Sequence, residues 1–297
     1  MKLRTGKTLC ILCQAFPPIM NSHIVPKFIL RWMNENNVVK HLRSSEQPNK
    51  PEQDIWKADY LCQSCETKLS QVESSFKEEV FDPVVTRTEG RYSYDNTVSI
   101  AVLSMFFRHL QYTLDKKSES LPNLLNLLRR QLEPALDGSP VKGYLYAVPL
   151  DFEYTPGKRP PGYNQYLISL DGYWFNYQLS GHSFWIGAIK LPFLQMVYSE
   201  YPLQKFTNLP NVQEEVASHQ IVQTGTIVLP TKCRLIDELL RDYYTKRCLE
   251  FYNGVSKLSN KQQKKICKEI ANHPTRQTMI QHQAAMADAL LASKEQQ

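Results

Sequence analysis

Two cysteine pairs constrain this chain more than any other feature. "TLCILC" carries Cys10 and Cys13, and "YLCQSC" repeats the same Cys-x-x-Cys spacing at Cys62 and Cys65. A two-residue gap lets both thiolates of a knuckle face one metal ion. Two such knuckles complete the tetrahedral four-sulfur shell that zinc takes in structural sites. A redox Cys-x-x-Cys stands alone at the start of a helix in a strand–helix unit, and two matched pairs argue against that reading. A leucine precedes each knuckle, Leu9 and Leu61, and each is expected to pack beneath its own. A closed four-cysteine shell leaves no open coordination position, so nearby His23 is not needed as a ligand.

The remaining cysteines, Cys233, Cys248 and Cys267, are scattered through helix-like sequence and read as small buried apolar residues. Disulfides are not expected, because a cytoplasmic location is inferred and thiols there stay reduced. The opening "MKLRTGKTLCILC" holds too short an apolar stretch for a secretory signal. The longest apolar run, Ser99 to Phe107, falls well short of the roughly 20 residues that span a bilayer, so no membrane partner is expected. The chain's 297 residues allow one large domain or two modest ones, and 42% hydrophobic content supplies a core without staples. A net charge of +6 permits a nucleic-acid partner without requiring one.

The pattern divides the chain into residues 1–82, with the paired cysteines, and 83–297. In the first part a short helix is expected over Pro26–Asn36, then a polar insertion loop from Asn36 to Asp54. A second helix should start near Cys65, with Leu69, Val72 and Phe76 at helical spacing. Residues 95–136 read as helical, capped by Asp95 or Asn96, with a leucine-rich second helix in "LPNLLNLLRRQLEPAL". Strands are expected over 143–192, starting with "GYLYAVPLDFEY". Asp171-Gly172 sits between two aromatic-rich runs and predicts a hairpin turn, with "HSFWIGAIKLP" as a further strand. Helices return over 233–293, in three pieces at 233–252, 257–271 and 275–293, the last capped by Thr275. The fold class is α+β, a small zinc module followed by helices, a β-hairpin domain and C-terminal helices.

The order Cys-x-x-Cys, then His23-Ile24-Val25-Pro26, then a polar insertion, then Leu-Cys-x-x-Cys entering a helix, resembles the zinc-bearing HNH, or ββα-metal, endonucleases. The resemblance covers residues 8–80. It implies that zinc clamps a β-hairpin to a helix, that His23 is the general base activating water, and that magnesium or manganese holds the scissile phosphate. The chain departs from the pattern at two positions. Ser22 stands where an acidic residue usually precedes the histidine, and Glu66 stands where Asn or His usually follows the last cysteine. Glu66 and Glu73 lie seven apart on one helical face, and either carboxylate could serve a magnesium ion in place of the missing nitrogen ligand. The alternatives are solvated surface glutamates, and a half-buried His23 that orders the knuckle.

Lys261, Lys264, Lys265 and Lys268 share one helical side in "NKQQKKICKEI", either as phosphate contacts or as a solvated face. Lys158 and Arg159 lie on a proline-rich loop. The aromatics Tyr166, Tyr173, Trp174, Phe175 and Tyr177 are expected to pack mostly in the core. His109 and His182 receive no role. The resemblance implies a metal-dependent endonuclease acting on DNA in preference to RNA. By analogy it would be an anti-phage defence or toxin effector restrained by a regulatory protein or defence complex. The alternative is a non-catalytic zinc protein that binds nucleic acid or another partner.

Overall fold

The computed structural model describes the chain except residues 1, 4–5, 20, 38–41, 44–46, 53–55, 87–90, 118, 151–159, 222–223, 229–232, 255–256, 274, 276–277 and 295–297. Lys158, Arg159 and the end of the first expected strand, from Asp151 to Tyr154, lie outside the described residues.

The first part runs β1 (Lys2–Leu3), β2 (Ser22–His23), α1 (Lys27–Glu35), β3 (Leu42–Arg43), β4 (Pro51–Glu52), β5 (Lys57–Ala58) and α2 (Gln63–Phe76). β2 pairs antiparallel with β5, Ser22 opposite Ala58 and His23 opposite Lys57, and β1 joins the other edge of β5. The expected insertion loop carries the short β3–β4 ladder. Proline opens α1 because its fixed φ suits the entry and its missing N–H costs nothing there; Pro26 is the residue before the first turn, and Ile29 and Leu30 face inward. Cys62 begins α2, whose Cys65, Leu69 and Phe76 are buried along one stripe. A π-helical turn, Lys77–Phe81, then leads into α3 (Asp82–Thr86).

The second part contains β6 (Arg91–Asp95), α4 (Asn96–Lys117), α5 (Pro122–Leu136), β7 (Tyr144–Pro149), α6 (Tyr163–Leu167), β8 (Asp171–Leu179), β9 (His182–Leu191), β10 (Leu194–Ser199), α7 (Pro210–Ser218), β11 (Thr224–Val228), α8 (Arg234–Tyr252), α9 (Asn260–Asn272) and α10 (Ile280–Lys294). The mixed α+β class is as expected. A helix apolar on all sides belongs in the middle of a fold, and α4 is enclosed along nearly its whole length, Val98 to Leu114. Asp95 caps it, its Oδ1 accepting from the Val98 N–H at 2.9 Å. α2 packs on α4 from one side. The antiparallel sheet β7-β10-β9-β8 packs on it from another, with Phe106 of α4 set edge-on to Trp174 at 5.8 Å. One continuous core thus contains Cys10 and Leu69 together with Phe106, Val197 and Cys248.

Four expectations need correction. Asp171-Gly172 is not the hairpin turn. The run before it is helical (α6), and the Asp171 carboxylate is buried, accepting from Tyr166 Oη at 3.1 Å, Tyr243 Oη at 3.0 Å and Arg247 Nε at 2.9 Å. The turn joining β8 to β9 is Ser180-Gly181, with φ of 50° and 80°, the left-handed pair that a two-residue hairpin of this type needs. Thr275 does not cap the last helix; α10 begins at Ile280, and the Thr275 carbonyl accepts from the Thr278 N–H at 3.0 Å in a turn of its own. Cys267 is exposed, whereas Cys233 and Cys248 are buried as expected. Leu9 is 48% exposed while Leu61 is fully enclosed, so only the second leucine packs under its knuckle.

No helix among the described residues is long and apolar enough to cross a membrane.

Candidate metal centre and the adjoining carboxylate cluster

The knuckles meet because the backbone stitches them together. The Ile11 N–H donates to Tyr60 O at 2.9 Å, and the Ile19 N–H donates to Leu61 O at 2.8 Å. Within the first knuckle the Cys10 N–H donates to Phe16 O at 2.7 Å, and Gln14 takes a positive φ of 54° to close the turn. Tyr60, fully enclosed, donates its hydroxyl to Asp115 Oδ2 of α4 at 2.7 Å, which ties the second knuckle to the central helix.

All four sulfurs, of Cys10, Cys13, Cys62 and Cys65, lie within 4.8 Å of one another, and Cys13 Sγ is 3.7 Å from Cys62 Sγ. That is too long for a disulfide, and it matches the edge of a tetrahedron with metal–sulfur bonds of about 2.3 Å. The Cys10 thiol is held well below its ordinary range, first by a hydrogen bond with the Cys65 thiol and then by the N–H groups of Cys62, Cys13 and Leu12, against the effect of burial. Cys65 is pushed up by the same bond. Four converging sulfurs of which at least one favours the thiolate form a donor set suited to zinc. Among the described residues they are the one such group of metal-ligating side chains, and no histidine takes part.

The carboxylate cluster is the next feature along α2. Ser22 is buried, and its Oγ accepts from the Leu61 N–H at 3.2 Å. Burial raises the Glu66 pKa, with Arg108 and the Ser22 hydroxyl acting against it and Glu73 with it. Glu66 Oε2 is enclosed and accepts no hydrogen bond among the described residues. Glu73, one helical stripe along, accepts from Arg108 Nη2 at 2.6 Å. The same guanidinium donates through Nη1 to the His23 backbone carbonyl at 2.7 Å, and through Nε to Ser104 O at 3.2 Å. Its side chain is 2% exposed. Of the three residues named from the resemblance, Glu73 bonds this buried guanidinium through its carboxylate and His23 through its backbone carbonyl, while Glu66 feels only its charge.

Arg108 is the residue that sequence reasoning missed, and its signal was present. "SMFFRHLQ" places a charge inside an otherwise apolar helix, and a buried charge needs a paired, hydrogen-bonded partner. His109 beside it is fully buried, with a pKa lowered to about 3 by burial, and its Nδ1 accepts from Trp174 Nε1 at 3.1 Å. It is a packing histidine.

Lys261, Lys264, Lys265 and Lys268 are all exposed on α9, which buries none of its described residues. Lys265 approaches Glu269 at 3.9 Å; among the described residues the other three have no carboxylate partner. The start of α9 is tied to the insertion of the first part. Asn49 Nδ2 donates to Lys257 O at 2.9 Å, and Asn49 Oδ1 accepts from the Ser259 N–H at 2.7 Å.

Comparison of the chain with known protein families, with characterised proteins and with solved structures finds no match.

Proposed function

We propose that this chain is a zinc-organised nucleic-acid-binding protein with an HNH-like layout and no hydrolytic step. The observation that carries the reading is Arg108. In an HNH-like site a divalent cation stands between the histidine strand and the helix and neutralises the phosphate. Here one of the two candidate carboxylates, Glu73, is already paired with a guanidinium, which is also bonded to the His23 carbonyl, and Glu66 lies within reach of the same charge. A magnesium ion held by Glu73 would have to displace a buried, multiply hydrogen-bonded charge. Doing so would strand that charge, at a cost of several kcal/mol. Zinc at Cys10, Cys13, Cys62 and Cys65 would be structural. The one-sided lysine face of α9, anchored to the insertion through Asn49, offers the phosphate contacts.

A second reading, the metal-dependent endonuclease with His23 as base, is favoured by one observation: Glu66, at one of the two positions where the chain departs from the motif, keeps an enclosed Oε2 that accepts no hydrogen bond among the described residues. On that reading a restraining partner and a defence or toxin role would follow by analogy alone. Plasmid DNA and RNA are incubated with the zinc-loaded protein, with and without magnesium or manganese, and followed by both gel shift and cleavage. Shift without cleavage in every metal is the expected result. Cleavage that needs the divalent metal and is lost in His23→Ala would overturn it in favour of the nuclease.

A further inference from the structure

A cleft of about 490 Å³ lies between the first cysteine knuckle and helices α4 and α5. Sites for small ligands commonly have this size, and they combine apolar walls with a few polar groups that fix orientation. This one has both. Leu9 and Leu125 supply apolar wall, and Leu9 is 48% exposed although it directly precedes a buried cysteine. Its counterpart Leu61 is fully enclosed, so packing under a knuckle does not explain Leu9.

The polar lining is cationic and amide-rich. Arg129 of α5 is steadied by its Nη2 donating to Asn126 Oδ1 at 3.0 Å, which leaves further guanidinium donors. Lys7 reaches the cleft 3.3 Å from Asp115. Asp115 also accepts from Tyr60 at 2.7 Å and from Gln111 Nε2 at 2.9 Å, so its charge is heavily shared. Gln14, exposed at the left-handed position of the knuckle, adds a carboxamide.

We infer that this cleft binds one nucleotide unit, with the base against Leu9 and Leu125 and the phosphate on Arg129 and Lys7. A planar guanidinium fork matches phosphate oxygens. A carboxamide such as Gln14 offers both a donor and an acceptor to a base edge. The same knuckle carries Phe16, 59% exposed, whose carbonyl takes the Cys10 N–H; its ring is available to a neighbouring base in a strand. The inference rests on the nucleic-acid reading and adds a second contact region to α9. The ligand's shared chemistry, a base with its phosphate, comes either from a free nucleotide or from a single strand.

A competing role for Lys7 and Arg129 is to offset the negative charge of a zinc tetrathiolate beside them, and zinc retention separates the two. Zinc-loaded full-length protein is titrated with adenosine monophosphate and with a fluorescent single strand of roughly ten nucleotides. Wild type, Arg129→Gln, Leu9→Ser and a Lys261→Gln/Lys265→Gln control are compared, with zinc content and melting temperature measured for each. Arg129→Gln and Leu9→Ser are expected to lose about tenfold in affinity, equivalent to one good contact, with zinc and melting unchanged. Tight binding of the mononucleotide assigns the cleft to free nucleotides; binding of the strand alone assigns it to single-stranded nucleic acid. Undiminished strand binding in both cleft variants overturns the cleft while the nucleic-acid reading survives on α9. Loss of zinc in Arg129→Gln with unchanged binding assigns the arginine to the thiolates and also overturns it. A wild type that binds neither probe removes the cleft and the nucleic-acid reading together.

Discussion

Helix α2 carries two sets of converging anionic donors, and they meet their need for a cation in opposite ways. Cys62 and Cys65, at its first turn, join Cys10 and Cys13 in a cluster whose sulfurs face one another and backbone N–H groups. Further along the same helix, Glu73 pairs with the guanidinium of Arg108, and Glu66 feels its charge. The first set is arranged to recruit an ion from outside, and the second has its cation encoded in the chain. On the proposed binding reading the distinction matters, because a carboxylate that already holds a fixed cation is not free to place a divalent metal on a substrate.

The comparison is broken most forcefully at the cysteines. Cys62→Ser is expected to abolish binding of about one zinc per chain and to unfold the region around residues 8–80. The binding free energy of a structural zinc is folding free energy, on the order of 10 kcal/mol in isolated zinc modules. Metal analysis and hydrogen exchange check this. Full zinc content and unchanged protection in the variant would mean that the four sulfurs do not act as a set.

Arg108→Met should cost up to about 3–5 kcal/mol in a urea titration, because it leaves the partly buried Glu73 carboxylate and the His23 carbonyl without their partner. The double change with Glu73→Gln should recover part of that loss, since both charges then leave together. Manganese sharpens the contrast. It should raise the melting temperature of Arg108→Met, where the carboxylates have lost their cation, and leave wild type unmoved. A wild type stabilised by manganese through Glu66 and Glu73 would show that the guanidinium does not exclude a metal.

His109, adjacent on α4, gives a smaller effect of known sign. It is buried neutral, with its pKa lowered from 6.5 to about 3. Between those values the unfolded chain binds a proton that the folded chain refuses. Its contribution is therefore complete above pH 6.5 and declines as pH falls toward 3, at up to about 1.4 kcal/mol per pH unit. His109→Gln should flatten stability across that window relative to wild type. An unchanged slope would mean that the ring takes up its proton within the fold.

How much of this was legible follows from sequence distance. The cysteine cluster was readable because each knuckle repeats one local spacing, and the strand–helix order around it constrains the rest. The α+β class, the long helix from Asp95 and the one-sided lysines were readable from periodicity. Asp171-Gly172 misled because the pair's turn preference was overridden by an ion pair with Arg247, 76 residues away. Arg108 meets Glu73 across 35 residues and the His23 carbonyl across 85. No local pattern announces such a pairing, although a lone charge in an apolar helix shows that some partner must exist. The exposure of Leu9 had no signal at all, since its sequence context matches that of Leu61.

The smallest effect on stability is expected at α9, and it separates binding from folding most cleanly. The helix buries none of its described residues, and its lysines make one weak ion pair, Lys265 with Glu269 at 3.9 Å. Changing Lys261, Lys264, Lys265 and Lys268 to Gln should therefore alter stability by no more than about 0.5 kcal/mol per substitution. Phosphate contacts act through counterion release, so losing up to four of them should weaken nucleic-acid binding and reduce the slope of log affinity against log salt by about 3. Measuring that slope before and after the change distinguishes a phosphate-contacting face from a solvated one. An unaltered slope with intact binding would move the nucleic-acid contact off α9 altogether. The fixed cation at Arg108 would then mark a module whose ligand is held at the cysteine knuckle, with α9 serving to brace the insertion through Asn49.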